Sequence, residues 1–119
     1  MKKVLFVGKL CQLNSVLMTQ ILETLKQKGY ASEHSEIEYQ TMGNQMHFPR
    51  LVHKMKNPTV LLVGLKAETI NMTIGHIDRN TKNNPKFLIV AWEGEKPSVC
   101  PTVEQHVSFY TREEFGIRA

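Results

Sequence analysis

The chain has 119 residues, 41% of them hydrophobic and 22% charged, with a formal net charge of +4. That length suits one domain with one core and is too short for two, and no apolar run approaches the roughly 18 residues of a membrane helix. The 15 basic residues are spread along the chain without interleaved aromatics, which does not mark a nucleic-acid surface.

Lys3-Val4-Leu5-Phe6-Val7-Gly8 is a lysine-led apolar run that stops at a glycine, and it predicts a buried strand feeding a helix through the loop Lys9 to Asn14. Met1 to Val7 superficially has the form of a secretion signal with Cys11 as a lipidated cysteine. Lys9 ends the apolar stretch after about five residues, short of the roughly 7 to 15 such a signal needs, and Leu10 stands where a lipoprotein cleavage site has a small residue. The expectation is a cytoplasmic protein with no membrane partner.

Asn14 or Ser15 caps a helix whose Leu17, Ile21 and Leu25 recur at helical spacing, and Gly29 supplies the left-handed residue that ends it. Glu36-Ile37-Glu38-Tyr39 alternates as a half-exposed edge strand does, and Gly43 to His47 reads as loop. Pro49 opens a short helix with Leu51, Val52 and Met55 inward, stopped by Asn57-Pro58. Thr59 to Val63 before Gly64 repeats the character of the first strand, so it should lie centrally and parallel to it. A third helix carries Ile70, Ile74 and Ile77 and ends before Asn83-Asn84-Pro85.

Lys86 to Ala91 is another continuous strand, closed by Trp92. Only about fifteen residues, with Pro97 and Pro101 among them, separate it from Val107-Ser108-Phe109-Tyr110, which leaves room for one helical turn. Thr111 to Phe115 begins like a helix. The predicted fold is a three-layer α/β/α sandwich, a flavodoxin-like doubly wound parallel sheet of strand order 2-1-3-4-5, with the final helix absent or truncated and residues 1–119 as one domain.

Ligands of such sheets bind beyond the carboxyl ends of the strands. That rim would gather Gly8 and Lys9, Gly64 and Lys66, Trp92 and Glu93, and Thr111 and Arg112, so three of four junctions offer a cation. Cys11 and Cys100 have no second ligand at metal spacing, and a cytoplasmic setting argues against a disulfide. His34, His47, His53, His76 and His106 have no Ser or Cys partner in motif context. No dinucleotide or Walker loop is present, and neither metal nor cofactor is expected.

In element order and length, with Val4 to Val7, Pro58 to Val63, Asn84 to Val90 and Phe109-Tyr110-Thr111-Arg112 at matching places, the chain resembles the receiver domain of bacterial response regulators. The family ends its first strand in acids that hold magnesium and its third in the aspartate that takes phosphate. Gly8-Lys9 and Gly64 stand there instead, and a hard cation needs oxygen ligands. The resemblance therefore implies a pseudo-receiver in signalling or transcriptional regulation. It would be no enzyme, and would act through a protein partner or a homodimer formed by the last strands, with nucleic acid reached only through a separate domain. Gly8, Lys9, Gly64, Lys66 and Arg112 are its vestigial, anion-attracting pocket.

The alternative resemblance is to phosphocarrier IIB domains of sugar phosphotransferase systems, with Cys11 as nucleophile beside Ser15. Gly8 holds the position of that family's cysteine, so Cys11 would need a depressed pKa from the helix start or Lys9. The tyrosine phosphatases of low molecular weight begin similarly, but no arginine occurs before Arg50 to clamp the phosphate.

Overall fold

The computed structural model describes residues 3–8, 15–31, 36–41, 48–55, 58–91, 99 and 101–118. Among these residues five strands, β1 (Lys3–Gly8), β2 (Glu36–Thr41), β3 (Thr59–Val63), β4 (Lys86–Ala91) and β5 (Val107–Thr111), alternate with α1 (Ser15–Gln27), α2 (Phe48–His53), α3 (Ala67–Asn80) and the single turn α4 (Pro101–Glu104). All strand pairings are parallel, in the order β2-β1-β3-β4-β5. The alternating elements and continuous apolar strands thus form the expected α/β architecture, compatible with a flavodoxin-like sandwich.

The apolar strands are uninterrupted because both faces of the sheet are covered. Val4, Phe6, Leu61, Val63, Leu88 and Val90 face α1, where Leu17, Ile21 and Leu25 meet them. Leu5, Val7, Val60, Leu62, Phe87 and Ile89 face the other way, onto Phe48 and Val52 of α2, Ile70, Ile74 and Ile77 of α3, and Val103 of α4. Each fully buried Leu, Ile or Phe contributes roughly 1.5–3 kcal/mol of transfer free energy.

Helix ends are closed by local chemistry that the residue types allow. Gly29, at φ +79°, and Tyr30 send their N–H groups back to Lys26 (3.1 Å) and Leu25 (2.9 Å), the paired bonds of a Schellman cap. The carbonyls at the end of α2 are met by a side chain from far along the chain, Asn83, whose Nδ2 donates to Val52 O (2.6 Å) and Met55 O (3.2 Å). Asn84 then adopts φ +48°, which asparagine tolerates better than most residues.

Beyond β5 the described chain makes one turn, capped at both ends. Thr111 Oγ1 accepts from the Glu114 N–H (3.1 Å) and the Glu114 carboxylate accepts from the Thr111 N–H (3.2 Å), a reciprocal capping box. Gly116, at φ +71°, and Ile117 donate to Glu113 O (3.0 Å) and Arg112 O (2.9 Å), a second Schellman cap. The turn places Phe115 (0% exposed) and Ile117 (3%) into the core beside α1.

Candidate functional site

At the carboxyl edge, Gly8 pairs in register with Val63, so Gly8 and Gly64 lie next to each other at the ends of β1 and β3, and both are buried. Gly64 has φ +69° and its N–H reaches Val90 O at 3.4 Å, so the chain turns away from the sheet in a left-handed conformation that side-chain-bearing residues rarely adopt. Leu65 then folds into the core, and Lys66 caps α3 with its backbone in an extended conformation and its side chain exposed, making no capping bond. These two strand ends therefore present backbone and no side chain.

Arg112 lies at the end of β5, two strands beyond β3, and is half-buried. Strands are spaced about 4.8 Å apart, so the backbones of the two strand ends stand roughly 10 Å from one another. Lys66 and Arg112 share a rim, but Arg112 stands apart from the two glycines. Ser15 is exposed at the first turn of α1, where its carbonyl accepts from Thr19 Oγ1 at 2.8 Å. Lys9, Cys11, Asn14, His34, His47, Trp92, Glu93 and Cys100 lie outside the described residues. Among those described, no three His, Cys, Asp or Glu side chains gather to hold a metal ion.

The sequence reading missed an aromatic and cationic cluster on the α1 side of β5. Ser108 and Tyr110 alternate with Val107 and Phe109 along β5, and all four are half-exposed. Tyr110 Oη and Tyr30 Oη are 3.4 Å apart, Lys28 Nζ stands 4.7 Å from the centre of the Tyr110 ring, and Lys86 Nζ stands 4.6 Å from that of Tyr30. Tyr110 also meets the Phe115 ring edge-on at 5.3 Å. The hydrogen bond from Tyr110, helped by Lys86 and Lys28, holds the Tyr30 phenol below its ordinary range against the effect of burial. Burial, reinforced by the Tyr30 hydroxyl, pushes Tyr110 up. The signal that could have found this cluster is the lysine-glycine-tyrosine step after α1 together with the polar alternation in β5, but the two tyrosines are 80 residues apart.

β5 pairs with β4 alone, so among the described residues its outer edge has no partner strand. The last strand of a sheet is a place where another chain can pair, and at its end the Thr111 N–H already donates to Glu114 Oε1. Lys86, at the start of β4, belongs to the opposite, amino edge, where Gly29, Tyr30, Pro58, Thr59, Asn83, Asn84 and Lys86 border an open cleft of about 490 Å³.

Comparison with known proteins adds fold information only. No family model matches the chain, and no curated protein does. A solved fragment from Peptoclostridium difficile 630, provisionally named a lipoprotein, superposes with a TM-score of 0.58 at 12% identity, over 98% of this chain and 89% of that one. Among the described residues no helix is long and apolar enough to cross a membrane.

Proposed function

We propose that this chain is a cytoplasmic pseudo-receiver domain of bacterial signalling or transcriptional control, acting through protein contacts without being phosphorylated. The observation that carries this reading is the pair of buried glycines, Gly8 and Gly64, at the adjacent ends of β1 and β3. Phosphoryl transfer to a carboxylate needs an acceptor and oxygen ligands for a divalent cation at that place, and the left-handed backbone at Gly64 does not favour a side chain there.

The outer edge of β5 is the contact surface this reading assigns. β5 is the last strand of the described sheet, carries half-exposed side chains, and is flanked by the tyrosine and lysine cluster. A second copy pairing β5 to β5 would make a self-complementary, closed dimer.

Intact mass after incubation with acetyl phosphate and magnesium, and separately with a phosphorylated histidine carrier, tests the absence of phosphoryl chemistry. The expected result is an unchanged mass in both. A phosphate on Cys11 would overturn the pseudo-receiver reading in favour of a phosphocarrier.

A further inference from the structure

On the face of the sheet away from α1, α2 and α3 run side by side, and their carboxyl ends border an open groove of about 400 Å³ lined by Pro49, Arg50, His53, His76 and Asn80. We infer that this groove binds a small phosphomonoester-type dianion. It lies on α3 some fourteen residues from Lys66, or roughly 20 Å along the helix, and the inference is independent of the pseudo-receiver reading.

The protonation pattern points to an anion and away from a metal. Asn80 Nδ2 donates to His76 O at 2.7 Å, and a carbonyl can only accept, so the amide nitrogen is the atom that also faces His76 Nδ1 at 3.3 Å. In the neutral imidazole Nδ1 therefore accepts and the proton sits on Nε2. A metal-bound histidine has the reverse arrangement, with its second nitrogen donating to an acceptor. His76 is thus set to donate, beside the guanidinium of Arg50 and the imidazole of His53, and among the described residues no carboxylate lines the groove.

Basic residues often collect at helix carboxyl ends because the terminal carbonyls attract them. Here those carbonyls have other donors. Asn80 serves His76 O, Thr81 Oγ1 serves Ile77 O at 2.9 Å, and Asn83 serves Val52 O and Met55 O. Arg50 and His53 are exposed. Around them Lys54, Arg79 and Lys82 are exposed, against the exposed acid Asp78 and, at the far end of α3, Glu68, so the local field is positive. The volume lies at the small end of ligand pockets, which fits a phosphorylated metabolite better than a polymer.

The test is titration of the whole chain with inorganic phosphate and with glycerol 3-phosphate, followed through the imidazole proton resonances and by calorimetry. Binding should saturate, moving the His53 and His76 signals. Arg50→Ala and His76→Phe should each weaken it at least about tenfold, as loss of one charge-assisted hydrogen bond to a phosphate does, while Lys66→Ala leaves it unchanged. Arg50 is exposed, so its replacement leaves the core intact, and thermal melting checks both variants. No saturable shift with either probe, equal affinity in the Arg50→Ala chain, or loss of binding in Lys66→Ala would overturn the inference. So would a short single-stranded oligonucleotide that moves the same signals when the phosphates do not.

Discussion

The hydroxyl of Thr24, in the middle of α1, lies 2.9 Å from the carbonyl oxygen of Phe115, 91 residues later, in buried surroundings. Thr24 Oγ1 is also 2.9 Å from Gln20 O, so its one proton serves a helix carbonyl and the C-terminal turn together. Nearby the Arg118 N–H donates to Gln20 Oε1 at 3.0 Å. These contacts, with Phe115 and Ile117 in the core, fasten the turn over the part of the sheet beside α1.

A side chain at Gly116 should break this fastening. A Cβ there would sit 2.6 Å from Thr24 Oγ1, on a backbone at φ +71°. Gly29 has a similar φ of +79° but open space around it. Gly29→Ala should cost about 1 kcal/mol for the left-handed backbone alone, and Gly116→Ala about 2 kcal/mol or more once the displaced hydroxyl is included. Urea unfolding of the two variants gives the comparison. Equal losses would mean that the turn is not held by Thr24.

Thr73 offers the opposite outcome. It is 1% exposed and its Oγ1 has no hydrogen-bond partner among the described residues. Replacing an unsatisfied buried hydroxyl by a methyl of the same shape removes a desolvation cost. Thr73→Val should stabilise the protein by about 1 kcal/mol, seen as a higher urea midpoint with an unchanged slope, whereas a lower midpoint would show that the hydroxyl has a stabilising role.

Thr111 and Glu114 cap the last turn reciprocally. Thr111→Ala should cost about 1 kcal/mol, and Glu114→Gln less, because a glutamine oxygen still accepts from the Thr111 N–H. If amide exchange at Glu114 and Phe115 is unaltered in Thr111→Ala, the capping box does not order the turn.

The tyrosine pair gives the stability a signed dependence at alkaline pH. Tyr30 has a folded pKa below its unfolded value near 10, so in that window the unfolded chain holds more protons and stability rises with pH. Tyr110 has a folded pKa above the same value, so beyond it the folded chain holds more protons and stability falls. Its contribution is complete below about pH 10 and lost as pH rises through the folded pKa. Tyrosinate absorbance should therefore show one early and one late ionisation, and Tyr110→Phe should move the early one upward. Unchanged ionisation of Tyr30 in that variant would exclude the hydrogen bond as the cause.

Much of the fold was legible because the strands are continuous apolar runs and Ile70, Ile74 and Ile77 keep helical spacing, patterns that survive any tertiary context. The start of a helix at Thr111 was visible as well. Its closure after one turn depends on Gly116 and Ile117 finding Arg112 and Glu113, and its anchorage on Thr24, which no local pattern encodes. The site was less legible still. Gly8 and Gly64 could be read as missing acids, but the left-handed backbone at Gly64, the separation of Arg112 from the two glycines, the Tyr30 and Tyr110 contact and the His76 and Asn80 pair are all products of geometry.

The functional account turns on β5, the last strand of the sheet, as a contact surface. Sedimentation equilibrium of the parent chain and of Ser108→Lys over a series of concentrations tests it most directly, since a lysine on an edge strand opposes pairing of edges. The account predicts a parent whose mass rises with concentration toward that of two chains, and a folded variant that stays a monomer throughout. A parent that remains monomeric at every concentration, or a dimer indifferent to Ser108→Lys, would contradict it.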